Sequence, residues 1–287
     1  MAQALLARDE VLSPPLKWAG GKRWLVPVLR RIWRSLRDVS QGSHSSFRLV
    51  EPFVGGMAVA LGLQPESALL NDLNSHLINF YRWLQKGLLI DIPLKNDSDY
   101  YYFCRQRFNE LVRNDQADSL DAAKLFYFMN RTGYNGLCRF NNSNQFNVPF
   151  GRYKTIHYVE NFLSYINALK KFEFVSMDFT RLPTHSDDFV YADPPYDVEF
   201  TKYSANDFKW QDQIRLAEWL QHHNGPVVAS NQATDRIIEL YSSFGFSIQL
   251  LDAPRRIACN GDRKPAKEIL AYKGLSAVPD IFAVNTP

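Results

Sequence analysis

Cysteine is scarce. There are three in 287 residues, Cys104, Cys138 and Cys259, far apart and with no C-x-x-C pair. That spacing supports neither a zinc site nor a disulfide framework, and it points to a reducing, cytoplasmic compartment. No metal is expected. No apolar run approaches the roughly 20 residues that span a bilayer. The leader MAQALLARDEVLS has acids where a secretory signal needs an apolar centre, so secretion is not expected. A Walker phosphate loop is absent as well. Gly20-Gly21-Lys22 is followed by Arg23, and the required glycine spacing is missing. Acidic side chains are absent from one long stretch, Ala122 to Val159. It keeps Lys124, Arg131, Arg139, Arg152 and Lys154, and six asparagines fall between 130 and 147. A basic, asparagine-rich segment interleaved with aromatics suits phosphate and base-edge contacts. The plainer alternative is a solvated loop that happens to lack acids.

What is present reads as a globular chain. Apolar residues make up 46% and charged residues 22%, and the net charge is +3. The length fits one large domain or two modest ones and buries a substantial core. Periodicity predicts a helix over 24–37, strands at 48–53 and 68–71, and a helix over 74–87. Later come strands at 172–176 and 188–192, a helix at 211–223 and a strand at 226–230. A helix at 233–244 and strands at 246–251 and 268–272 complete the pattern. This alternation argues for a mostly parallel α/β sheet. The middle breaks the rhythm. Helices near 100–113 and 120–130 lead into an irregular polar stretch, so residues 90–157 read as an insertion.

Four stations carry chemistry. The first is Leu16-Lys17-Trp18-Ala19-Gly20-Gly21-Lys22, whose paired glycines allow close backbone approach to a ligand. The second is Glu51-Pro52-Phe53-Val54-Gly55-Gly56, a glycine turn after a strand. The third is Asp72 at the next strand's tip, placed to accept hydrogen bonds from ribose hydroxyls. The fourth is Asp193-Pro194-Pro195-Tyr196, directly after the apolar run 189–192. Ligands of open α/β sheets lie outside the carboxyl ends of strands, so an acid and an aromatic ring there suit a planar, amine-bearing substrate. Each station has a bland reading. The tetrapeptide fits an ordinary turn, Trp18 a core position, the glycines their turn alone, and Asp72 a helix N-cap. The four together are much harder to explain that way.

With these stations in this order, the chain resembles DNA adenine-N6 methyltransferases of the Dam type. The resemblance runs over about 16–273. Its most specific parts are 16–22, 130–140 (NRTGYNGLCRF), 146–153 (FNVPFGRY), the tetrapeptide, and 255–262 (RRIACNGD). It implies a Rossmann-like sheet that binds S-adenosylmethionine, with an inserted, mostly helical target-recognition domain. Trp18 and Lys22 would contact the cofactor, the lysine near its methionine part. Phe53 and Gly55 would shape the wall beside it, and Asp72 would bind the ribose. Asp193 would meet the target amine, with the Pro194 carbonyl as a second acceptor, and Tyr196 would stack on a flipped adenine. Asp193 thereby also borders the cofactor. Tyr134, Asn135, Leu137, Arg139, Pro149, Arg152 and Tyr153 fall in the two recognition stretches. Arg139 would read guanine, Leu137 would meet a thymine methyl with Pro149 packed beside it, and Tyr134 and Asn135 would hold the duplex near the flipped base. The target implied is the adenine of GATC. One departure stands out: Met57 follows Gly56 where the family often has a small residue.

The resemblance implies catalysis without a metal or a covalent enzyme intermediate. The expected partner is double-stranded DNA, with a monomer in solution that joins the nucleoid through DNA binding. The expected division is 14–80 and 157–274 as the two parts of the catalytic domain, with 81–156 as the insertion and a hairpin at 131–153. Two other readings stay open here. One is a methyltransferase acting on an RNA base or a protein glutamine. The other is a non-catalytic DNA-binding protein. Both a solitary methylase and the modifying half of a restriction pair fit the motifs.

Overall fold

The computed structural model describes residues 12–40, 47–196, 208–254 and 266–275. The motif at 255–262, with Cys259, lies outside the described residues. Seven strands form one sheet in the order β3-β2-β1-β4-β5-β7-β6. β1 (Leu49–Glu51), β2 (Ala68–Asn71), β3 (Phe172–Val175), β4 (Phe189–Ala192) and β5 (Val227–Gln232) are mutually parallel. β7 (Ala266–Lys273) inserts antiparallel between β5 and β6 (Ser247–Ala253). β1, β2 and β4 are buried along their full length, which explains their short, continuous apolar runs. The chain winds from β1 toward β3 on one side and from β4 toward β6 on the other. The reversal falls between β1 and β4, and a ligand crevice forms outside strand ends at such a switch point.

Helices cover the sheet. α1 (Val26–Ser40) turns Leu29, Ile32, Trp33 and Leu36 inward, as its 3.6-residue period predicts. α2 (Ala58–Leu63) follows the glycine turn, and α3 (Ser75–Gln85) is capped by the Asn74 side chain, which accepts from the His76 and Leu77 amides. α4 (Ser98–Arg113) and α5 (Leu120–Thr132) start on Asp97 and Ser119 caps. α6 (Leu163–Leu169) is a short helix that periodicity did not indicate. α7 (Trp210–His222) and α8 (Asp235–Ser243) flank β5. Among the described residues no helix is long and apolar enough to cross a membrane.

The insertion is less separate than the sequence suggests. The boundary at 80/81 falls inside α3, which runs on unbroken and packs against both α5 and α6. One apolar cluster extends from Leu29 and Trp33 through Phe80 to Phe108, Phe126 and Phe128, so α4 and α5 share the core of the sheet layer. The segment 131–153 does double back, but it is not a laddered hairpin. Only isolated bridges, Gly133 with Phe150 and Phe140 with Phe146, tie its limbs. Asn135 and Asn144 adopt left-handed φ values of 51° and 55°, and Pro149 has no amide to donate, so regular pairing is interrupted.

Candidate active site

The switch point opens into a cavity of about 630 Å³. Trp18, Lys22, Phe53, Gly55, Asp72, Asp193, Pro194 and Tyr196 all line it. The eight residues that the resemblance assigned to the cofactor or to catalysis therefore come together from four distant stretches of chain.

The first two stations interlock. The Trp18 side chain lies so close to the glycine turn that a Cβ at Gly55 would fall 2.7 Å from Trp18 Nε1, and one at Gly56 would fall 2.8 Å from Trp18 Cβ. Gly55 also has φ +45°. The glycines thus serve the tryptophan as well as the turn. The turn then continues through Met57, buried at φ 60°, whose amide donates to Val54 O at 2.9 Å. The departure at Met57 is absorbed as a left-handed residue, and β1 and Asp72 keep their places.

Asp72 is pinned by backbone. Its Oδ2 accepts from the Gly55 amide at 3.1 Å and its Oδ1 from the Asn74 amide at 3.0 Å. Burial pushes its carboxyl up from the ordinary range, and these two amides oppose the shift. Each carboxylate oxygen keeps a lone pair for a hydroxyl donor. Asn71, just before it, donates to Pro52 O and Met177 O and accepts from the Met177 amide, which clamps the tips of β1, β2 and β3.

Asp193 sits at the other side of the switch point. Lys22 Nζ lies 2.9 Å from its Oδ1 and 3.0 Å from its Oδ2, and Ser230 donates to Oδ1 at 2.9 Å. Tyr191 and Ser230 hydroxyls are 2.9 Å apart behind it. Burial raises the Asp193 carboxyl above its usual value, while the Lys22 charge and the two hydrogen bonds hold it down. Lys22 also donates to Gly20 O at 2.9 Å and sits 4.7 Å from the Tyr196 ring centroid. An ammonium has three protons to donate, and these contacts occupy them. Lys22 thus lines the cavity while paired with Asp193. The Pro195 carbonyl accepts from Gln213 of α7, and Gln213 in turn accepts from Asn231 of β5. This buried chain fixes the tetrapeptide.

Sequence reasoning assigned no role to several wall residues, Glu51 of the second station among them. Glu51 is buried, with Oε1 lacking a partner among the described residues. Burial pushes its carboxyl well up, and the nearby Asp193 adds to that. Asp178 follows the tip of β3 and lines the cavity with Met177 and Phe179. The strand-tip argument used for Asp72 applies equally to Asp178 and was a usable signal. Asp178 pairs with Arg215 of α7 at 3.0 Å.

The residues expected to recognise DNA divide in two. Tyr134, Asn135, Leu137, Pro149 and Arg152 are exposed. Arg139 and Tyr153 are partly buried and braced. Arg139 Nε donates to Asn147 Oδ1 at 2.8 Å and its Nη2 to Asn147 O at 3.2 Å, leaving other guanidinium protons available. The Tyr153 hydroxyl donates to Gly133 O at 3.0 Å, and Lys17 Nζ lies 3.6 Å from its ring centroid. Lys17, part of the first station but given no role there, joins the two regions. Its amide donates to Asn130 Oδ1 at 2.8 Å, Asn130 Nδ2 donates back to Lys17 O at 2.9 Å, and Lys17 Nζ reaches Arg131 O at 2.7 Å. Burial, with the Arg131 charge adding, pulls the Lys17 amine down to about 8.

Comparison with known families decides the class. The family model described as D12 class N6 adenine-specific DNA methyltransferase matches residues 18–257. The chain belongs to that family. A DNA N-6-adenine-methyltransferase of Escherichia phage P1 is 37% identical over 86% of this chain, although the chain spans only 33% of that phage protein. The DNA adenine methylase of Escherichia coli K12 is 34% identical over 90% of the chain and 94% of its own length. The Retron Ec67 DNA adenine methylase of Escherichia coli is 33% identical over 92% of each. The seven-stranded α/β fold and the switch-point cavity accord with this class. The methyltransferase is thus an adenine-N6 DNA methylating enzyme, as the motif order implied.

Proposed function

We propose that the methyltransferase uses S-adenosylmethionine to methylate N6 of an adenine turned out of a GATC duplex. The observation that carries this reading is Asp193, held at the switch point by Lys22 and Ser230 and facing the same cavity as Asp72. The cavity suits such a cofactor. Asp72 offers acceptors for two ribose hydroxyls, the unpartnered Oε1 of buried Glu51 suits an ammonium, and Phe53 and Phe179 supply an apolar wall. When bound, the cofactor supplies the electrophilic methyl group.

The chain's own residues do the rest. Asp193 accepts a hydrogen bond from the adenine amine, together with the Pro194 carbonyl. These bonds favour a tetrahedral nitrogen whose lone pair is no longer shared with the ring. Holding amine and methyl in line contributes about 7–11 kcal/mol in well-oriented reactions. Lys22 and Ser230 oppose the rise that burial gives the Asp193 carboxyl. Tyr196 stacks on the extruded base and offsets part of the roughly few kcal/mol that extrusion costs. Tyr134, exposed on the recognition segment, enters the space left in the duplex, with Asn135 beside it. Arg139 reads guanine, Leu137 meets a thymine methyl with Pro149 packed beside it, and Arg152, with Tyr153 behind it, follows the backbone. Residues 81–156 act as the target-recognition part and 14–80 with 157–274 as the catalytic part.

The test is transfer of a tritiated methyl from S-adenosylmethionine to DNA, RNA and protein in parallel, followed by mapping on random-sequence duplex. The expected result is label in DNA alone, at adenines in GATC. Label in RNA or protein, or a different DNA motif, overturns the assignment of substrate or site.

A further inference from the structure

Besides Glu51 Oε1, two further buried polar atoms lack a hydrogen-bond partner of good geometry among the described residues: the hydroxyl of Tyr196, which lines the cavity, and Oε2 of Glu268 on β7. Buried polar groups are rarely left so, because each loses its water without compensation. The two groups are near enough to act on each other electrostatically. Glu268 lies on β7 opposite Gln232 of β5, two positions along from the Ser230–Leu270 pair. Residues opposed in a ladder share a face, so Glu268 stands on the side of the sheet where Ser230 meets Asp193. Burial raises both groups; the Asp193 and Glu268 charges push the Tyr196 phenol up further, while Lys22 and the neighbouring Tyr196 hold the Glu268 carboxyl down.

A stacking platform needs a ring; it does not need a hydroxyl. Burying a phenol oxygen in the cavity wall makes sense only if that oxygen is used. The Tyr196 ring is already held on one face by Lys22 Nζ, 4.7 Å from its centroid. A base must therefore stack on the other face. A second hold at the ring edge fixes the remaining freedom, rotation of the ring about its own axis and tilt against the cavity. Glu268 is the group placed to supply it.

We infer that Glu268 is a positioning residue for the extruded adenine, acting by accepting the Tyr196 hydroxyl and so fixing the plane on which the base stacks. This rests on the reading of Tyr196 as the stacking partner. It assigns a role in base placement to β7, a strand whose residues touch neither the tetrapeptide's backbone nor Asp193 in the contacts described above.

The experiment uses the full chain with S-adenosylmethionine and a GATC duplex carrying 2-aminopurine at the target adenine for fluorescence, and adenine for turnover. Tyr196→Phe and Glu268→Ala should each lower kcat about tenfold while the Kd for DNA stays within about twofold. The double variant should be no slower than the slower single variant, because both remove one contact. Glu268→Gln, whose amide oxygen still accepts, should keep most of the wild-type kcat. Wild-type turnover in Tyr196→Phe overturns the inference, as does a double variant whose loss equals the product of the two single losses. If Glu268→Ala fails to fold, Tyr196→Phe and Glu268→Gln decide the matter alone. Tyr196→Ala separates this inference from the reading beneath it. An unchanged 2-aminopurine signal and kcat in that variant sinks the stacking role itself. A lost signal there, with Tyr196→Phe at wild-type rate, sinks only the role of Glu268.

Discussion

Lys22 Nζ touches both carboxylate oxygens of Asp193, at 2.9 and 3.0 Å, across 171 residues of chain. The pair is an electrostatic unit. Burial favours a proton on Asp193, and the neighbouring ammonium opposes it.

Methyl transfer should therefore depend on this pair in two ways. Asp193→Ala should abolish turnover while DNA binding largely survives. Turnover within about tenfold of wild type would remove Asp193 from the mechanism. The pH profile carries the second signature. A carboxyl raised by burial takes up its proton at a higher pH than a free aspartate, so kcat/KM should fall on acidification before the ordinary carboxylate range is reached. Lys22→Met removes the opposing charge and should move that acid limb to still higher pH. A limb that stays in place shows that Lys22 does not control Asp193.

Gly55→Ala should cost stability and cofactor affinity together. The added methyl meets Trp18 Nε1 at 2.7 Å and sits on a residue at φ +45°. Forced overpacking costs about 1–3 kcal/mol. Denaturant melts should show a reduced midpoint, and calorimetry a weaker S-adenosylmethionine affinity. An unchanged midpoint would mean that Trp18 moves aside freely.

Asp72→Ala should weaken S-adenosylmethionine by one to two charge-assisted hydrogen bonds, about 1.5–3 kcal/mol each. Since Asp72 also accepts from the Gly55 and Asn74 amides, a modest loss of stability should accompany it. Isothermal calorimetry with wild-type affinity in the variant would rule out a ribose role.

DNA binding should weaken steeply with salt, by about 0.9 in the log–log slope for each phosphate neutralised by the acid-free stretch. Arg139→Ala separates base reading from phosphate contact within it. Loss of a base contact relaxes one position of the methylated motif by about 1–3 kcal/mol, whereas loss of a phosphate contact weakens all sequences alike. Mapping N6-methyladenine on a random-sequence library distinguishes them. A uniform loss with the motif unchanged would return Arg139 to the role its Asn147 contacts already describe, a brace of the recognition segment.

Three of the four stations were legible because they fall at strand tips, where position alone implies function, while the first, 16–22, was legible from its paired glycines. Asp72 and Asp193 are of this kind, and both line the cavity. Glu268 and Ser230 were not legible in the same way. Their relevance depends on β7 folding back antiparallel against β5, and strand order is not visible in local periodicity. Gln213 and Asn231 join the tetrapeptide through a chain that only side-chain geometry reveals. α6 went unnoticed because a helix of seven residues covers too few turns to show its period. The split of the chain into catalytic and recognition parts looked sharper than the packing, because composition changes near 90 while the apolar core runs straight through.

The reciprocal hydrogen bonds between Lys17 and Asn130 bear on how this methyltransferase is to be re-engineered. A Cβ at Gly136 would fall 2.4 Å from Lys17 Cβ, so the recognition segment is moulded around a residue that belongs to the other region. A graft of residues 81–156 from a relative of different specificity would arrive without its match to Lys17. If this segment reads the target, as proposed, it should not behave as a portable cassette. The exchangeable unit is the segment together with residues 16–22, and chimeras cut at the insertion's edges alone should be the ones that lose activity on every sequence.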